Sequence, residues 1–164
     1  MVITMKLYIQ RDTSQLNSRY LIYDETGSLR YRVTGKSSTS GESMRITDES
    51  SAVLCKIRSI GFSALSVYGI SCGGETIRLN IAAAEGRASV RFRGISFFIR
   101  GDVLQGSYSI LDADTAVVCA VGKDFAKQCI QTEIFQEDRE IFCLACALCI
   151  DSIAVIGAPA LQLT

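Results

Sequence analysis

The residues with the greatest chemical promise are cysteines and carboxylates. Cys143, Cys146 and Cys149 stand at three-residue intervals, a spacing that invites an iron–sulfur reading. A bacterial ferredoxin run continues with a fourth Cys four residues on, followed by Pro, and Ile153-Ala154 occupy those places. On a helix the three Cβ atoms also spread over about 120° of arc and about 9 Å of rise, too wide for one cluster. They are expected to be core cysteines. The chain has no His, which excludes Ser-His and Cys-His nucleophile pairs and nearly all catalytic zinc sites. Asp112 and Asp114 alternate in a tight turn, but no EF-type spacing or Glu follows, so calcium is not expected. Cys72-Gly73-Gly74-Glu75 lacks the Lys-Ser/Thr of a phosphate-binding loop and reads as a hairpin turn. No nucleophile–base pair, metal set or cofactor loop is visible, so the expectation is no enzyme, no metal and no cofactor.

Two features remain. Asp151 interrupts an otherwise apolar run, and a buried carboxylate must be paired, hydrogen-bonded or protonated. It is either a ligand or proton site inside the fold, or it lies where a helix emerges and meets solvent or an Arg; the second is preferred. The other feature is charge. Lys+Arg 17 balances Asp+Glu 17, which disfavours a DNA-coating protein. Locally the balance breaks: Arg78, Arg87, Arg91, Arg93 and Arg100 face only Glu85 within their segment. Such a stripe on outward strand faces could hold phosphate, from lipid headgroups or nucleic acid. The plainer alternative is a solvated face with edge-protecting charges.

The elements that must position these residues are mostly strands. Apolar residues make up 48% of 164 residues and charged ones 21%, enough for the core of one domain, taken as 1–164, and too apolar for disorder. Up to about residue 135 the period is two, as in Leu29-Arg30-Tyr31-Arg32-Val33 and Ala88-Ser89-Val90-Arg91-Phe92-Arg93. This is the pattern of half-buried antiparallel strands. Turn signals every 8–12 residues mark out roughly twelve of them and imply a sandwich or barrel. Tyr20-Leu21-Ile22-Tyr23-Asp24 and Tyr108-Ser109-Ile110-Leu111-Asp112 each lead, nine residues after the Asp, to Val33 and Val121. A unit used twice suggests internal duplication.

Then the period changes. Ile141 to Ile156 is apolar except for Asp151 and Ser152. Glu137, Asp138 and Glu140 precede it, with Asp138 as the expected N-cap, and Gly157 and Pro159 supply stop signals. A helix over about 139–156 that is apolar all round must be enclosed by protein or lipid. Sixteen residues rise about 24 Å, short of a ~30 Å hydrocarbon core, and Asp151 opposes insertion. The expected structure is mainly β, wrapped around this helix. The N-terminus lacks the pattern of a signal peptide, so the cysteines are read as reduced and cytosolic.

Tyr20–Gly27, Gly94–Asp102, Ser107–Asp112 and Ala145–Ile153 together resemble the LURP-one-related family and its bacterial relatives. That family is related to the Tubby C-terminal domain and the phospholipid scramblases. The resemblance implies a roughly twelve-stranded antiparallel Tubby-like barrel threaded by a hydrophobic C-terminal helix. Members often carry Trp where this chain has Phe97, Phe98 and Phe125. The family supplies no catalytic residues, and the basic group by which Tubby domains bind phosphoinositides has no residue-by-residue match here. The resemblance implies a non-enzymatic cytoplasmic binding module for anionic lipid headgroups or a protein partner, peripheral to the membrane if lipid is the ligand. The alternatives are a scramblase-like protein whose helix inserts in the bilayer and a nucleic-acid-associated regulator; the charge balance disfavours the second.

Overall fold

The computed structural model describes residues 4–38, 41–62, 65–124 and 126–162, with the side chains of the final helix described as far as Ser152. Phe125 lies outside the described residues. The strands run β1 (Met5–Arg11), β2 (Ser18–Asp24), β3 (Leu29–Ser38), β4 (Gly41–Thr47), β5 (Val53–Phe62) and β6 (Leu65–Cys72). They continue as β7 (Glu75–Ala84), β8 (Arg87–Arg93), β9 (Phe98–Asp102), β10 (Ser107–Leu111), β11 (Val117–Asp124) and β12 (Cys129–Ile134). A 3-10 turn, Glu137–Arg139, leads into the helix α1, Glu140–Gln162. The twelve strands form one antiparallel sheet in the order β8-β7-β6-β5-β4-β3-β2-β1-β12-β11-β10-β9. The expected β-rich barrel around a C-terminal helix is what forms.

The strands alternate because one side of every strand faces the helix. Leu7, Ile9, Ile22, Val33, Ile46, Ile57, Ile70, Leu79 and Ile110 all point inward and are sealed from solvent. Strands β8 and β9, the two ends of the hydrogen-bonded order, are consecutive in the chain, so the barrel is closed there by packing. Aromatic rings fill that seam. Phe92 of β8 and Phe97 of the β8–β9 connection lie 6.3 Å apart and pack on Phe142 of α1 at 6.1 and 5.6 Å. Phe98, by contrast, is 39% exposed. Gly101 lets β9 approach β10, because a Cβ there would come within 2.6 Å of the Ser107 carbonyl oxygen.

The repeated units have matching geometry. Tyr20 pairs with Val33 across β2 and β3, and Tyr108 pairs with Val121 across β10 and β11. Each hairpin is closed by its Asp: Asp24 Oδ1 accepts the amides of Thr26 and Ser28, and Asp112 Oδ1 those of Asp114 and Ala116. A third turn is built the same way, with Asp48 Oδ1 accepting from Ser50 and Ala52. Side chains of Asp bond their own backbone this way in turns, so Asp112 is a turn anchor and its carboxylate is already occupied.

The helix departs from expectation at both ends. Asp138 is not its N-cap; it sits inside the 3-10 turn, whose N-cap position is Gln136. The helix also does not stop at 156. It runs through Gly157 and Pro159 to Gln162. Proline in a helix interior removes one backbone bond, but Ala158, Ala160, Leu161 and Gln162 that surround it are strong helix formers. Residues Phe142 to Asp151 are all buried, packed mainly against β5, β6, β11 and β12. Among the described residues no helix is long and apolar enough to cross a membrane.

Leu148 is fully enclosed, so Leu148→Ala is expected to cost about 2–5 kcal/mol, measurable by urea denaturation. Truncation after Asp138 would empty the lumen, and the shortened chain is expected to aggregate or lose its cooperative melt. An undiminished melt would show that the strands stand without the helix.

Candidate functional site

The helix carries two carboxylates within the barrel, Glu140 at its entry and Asp151 at the opposite mouth, and a tyrosine meets each. Tyr31 Oη donates to Glu140 Oε2 at 2.6 Å. Tyr20 Oη donates to Asp151 Oδ2 at 2.8 Å, and Arg11 Nη2 donates to the same oxygen at 2.8 Å. Lys123 Nζ lies 3.9 Å from the other oxygen. Asp151 itself is 6% exposed, while the Arg11 side chain is 46% exposed. The mouth is therefore sealed by a buried carboxylate with its cation on the solvent side. Two open clefts flank it. One, of about 660 Å³, is lined by Arg11, Tyr20, Lys36 and Glu42; the other, of about 400 Å³, by Arg11, Lys123, Lys127 and Asp151.

The arginine stripe falls into two parts. Arg87, Arg91 and Arg93 alternate along the outward face of β8, and Arg78 of β7 lies directly across from Arg93. Arg100 is on β9, at the opposite end of the hydrogen-bonded order, paired with Ser109. The four on β7 and β8 continue into a wider basic face. Arg58 of β5 pairs with Gly69 of β6, which pairs in turn with Arg78. Arg45 of β4 pairs with Lys56 of β5. All of these charged side chains are exposed. None has an ion-pair partner among the described residues. The acids of the same strands, Glu42 and Glu75, fall on the alternate positions that carry core residues further along each strand, and both are exposed at the barrel ends, Glu42 in the cleft with Lys36 and Glu75 beside Arg139. Sequence reading confined to residues 78–100 missed Arg45, Lys56 and Arg58, although Lys56-Ile57-Arg58 shows the same alternation.

At Gly69 an added Cβ would meet nothing within 4 Å. Adjacent strands lie about 4.8 Å apart, so Arg58 and Arg78 flank an open gap about 10 Å wide over a side-chain-free floor. A phosphate accepting from both guanidiniums fits that chemistry. Cys143, Cys146 and Cys149 are buried along α1, and among the described residues no metal-binding group forms.

The paired tyrosines have a consequence in alkali. Burial first, and the hydrogen bond to Glu140 second, raise the Tyr31 pKa from 10.0 to about 12. Burial and then the Asp151 charge push Tyr20 up as well. An unfolded tyrosine ionises at its ordinary value, so above it the unfolded chain binds fewer protons than the folded one and stability falls. This contribution is complete below pH 10.0 and is lost as pH rises towards 12. Melting temperatures taken from about pH 9 to about pH 12 should decline, less steeply in Tyr31→Phe than in the parent. Equal slopes would remove Tyr31 from the account. At neutral pH, Tyr20→Phe should cost about 1.5–3 kcal/mol, the range for a hydrogen bond to a charged group.

Comparison with known proteins bears on nearly the whole chain. A curated relative, the uncharacterized protein YxjI of Bacillus subtilis (strain 168), is 23% identical over 152 residues, covering 91% of this chain and 93% of that protein. The X-ray structure of a protein from Arabidopsis thaliana matches with a TM-score of 0.66 at 13% identity, over 93% of this chain and 92% of that one. The second likeness is one of fold. Neither description carries a catalytic activity. The LURP-one-related family model matches residues 5–151, the span from the first strand to the carboxylate at the barrel mouth, and the chain belongs to that family.

Proposed function

We propose that the barrel is a non-enzymatic binding module that docks on anionic lipid headgroups through the outer face of β4–β8. One observation carries this reading: cationic side chains on four of those five strands, without an outward acid among them, surround the open floor at Gly69. A stability role does not account for such a face, because like charges brought together on a sheet repel. The cysteines are free thiols, as in proteins of the reducing cytosol, where the membrane leaflet is the anionic one. Arg100 stands on β9, next to β8 across the seam, at the margin of this face.

Sedimentation with phosphatidylserine-containing vesicles tests the reading. Each basic residue near such a surface contributes about 1 kcal/mol, so Arg87→Ser, Arg91→Ser and Arg93→Ser together should weaken binding about a hundredfold. Gly69→Glu, which places a carboxylate between Arg58 and Arg78, should weaken it with no loss of melting temperature. Binding should also fall steeply with salt. Equal retention of parent and triple variant, or retention of neither, would overturn the proposal. Preference for nucleic acid over vesicles would transfer the face to a different ligand.

A further inference from the structure

Cys55 of β5 and Cys72 of β6 are register partners. Which kind of partner follows from the next hairpin. Cys72 and Glu75 flank a two-residue turn, Gly73-Gly74, with φ of 55° and 84°. Positive φ at both central residues defines a type I′ turn, whose flanking residues exchange both backbone hydrogen bonds. The Cys72 amide and carbonyl therefore point towards β7, away from β5. Cys55 and Cys72 must form a non-hydrogen-bonded pair, the class with Cα atoms about 4.5 Å apart and side chains closest. That separation falls within the range a disulfide spans, about 4.4–6.8 Å.

The two thiols differ in access. Cys55 is 1% exposed. Cys72 is half-buried and lines an open cleft of about 400 Å³ with Glu75, Arg139 and Glu140, where α1 enters the barrel. A hydrogen bond from Cys55 holds the Cys72 thiol below its ordinary pKa, and the same bond with burial pushes Cys55 up. Cys146 and Cys149 are pushed up by burial. One sulfur of the pair is thus reachable from the open cleft, and its neighbour across the strands is sealed.

We infer that Cys72 is a peroxide-oxidation site and Cys55 its resolving partner, so that the protein forms a Cys55–Cys72 disulfide across β5 and β6. The Cys72 thiolate attacks one oxygen of hydrogen peroxide. The O–O bond breaks, hydroxide leaves and takes up a proton as water, and Cys72 becomes a sulfenic acid. The Cys55 sulfur then forms the S–S bond and displaces the hydroxyl, which leaves as water with the Cys55 proton. One peroxide is reduced to two waters while two thiols become one disulfide. The bond ties the β6–β7 hairpin to β5 beside the helix entry, at the Glu75 that pairs with Arg139 at 2.9 Å.

The test treats the full chain with hydrogen peroxide and maps linked peptides by mass spectrometry under non-reducing conditions. The expected result is loss of two hydrogens, a crosslink between the peptides holding Cys55 and Cys72, and a melting temperature raised in the oxidised form and restored by dithiothreitol. Cys72→Ser should slow peroxide-dependent thiol loss about tenfold. Cys55→Ser should leave Cys72 as a sulfenic acid that reacts with dimedone. A crosslink to any other cysteine, peroxide chemistry indifferent to Cys72→Ser, or an intact thiol pair after treatment would overturn the inference. The peptide map of the parent decides the matter even if a serine variant fails to fold.

Discussion

An apolar helix must be enclosed on all sides, and the remainder of the structure follows from that need. An α-helix with its side chains is about 10–12 Å across. A sheet of eight strands encloses little more than its own side chains, so a longer sheet is required to surround a helix. Twelve antiparallel strands provide it, and each contributes inward residues at alternate positions. Hairpin connections follow naturally, because neighbours in the sheet are neighbours in the chain except where β1 meets β12. The seam between β8 and β9 is then the one place where backbone bonding does not close the wall, and the Phe92, Phe97 and Phe142 rings close it by packing.

Burying the helix creates a second requirement at its ends. Its carboxylates, Glu140 and Asp151, stand eleven residues apart and fall where the lumen opens. Both receive a tyrosine hydroxyl from one hairpin, Tyr31 of β3 and Tyr20 of β2. This hairpin therefore sets how deep the helix sits. Arg11 completes the mouth, half in solvent, which keeps the ion pair from bearing the full desolvation cost of two buried charges. With the interior fixed by packing and by these contacts, the outer faces are free to vary in charge. The outward side of β4–β8 is where the chain concentrates arginine and lysine.

Much of this was legible in the sequence because it is local. Period-two alternation, Asp-anchored turns and the shift to an unbroken apolar run each involve residues within a few positions of one another, and hairpin connectivity keeps most sheet neighbours close in sequence. The Tyr-Asp-Val unit was visible twice for the same reason; the turn at Asp48 was legible as a turn from Asp48-Glu49-Ser50-Ser51, but its likeness to the other two was not, because no matching tyrosine precedes it. The helix terminus was misjudged because Gly157 and Pro159 are strong local signals, while the alanines and leucine around them favour continuation.

The sequence by itself determined the strand-forming face of each segment, the apolar helix and its isolated Asp151, and a local excess of arginine. Only the tertiary structure decided what those residues meet. Arg11 lies 140 positions from Asp151 and Tyr20 lies 131 positions away, so no local pattern could name them. Likewise Arg58 and Arg78 become neighbours across Gly69 through strand register, and Arg100 of β9 comes beside β8 only because the barrel closes at its seam. Side-chain type and alternation are properties of adjacent residues, whereas partnership across a barrel depends on register and closure, which the packing of the whole chain around its helix sets.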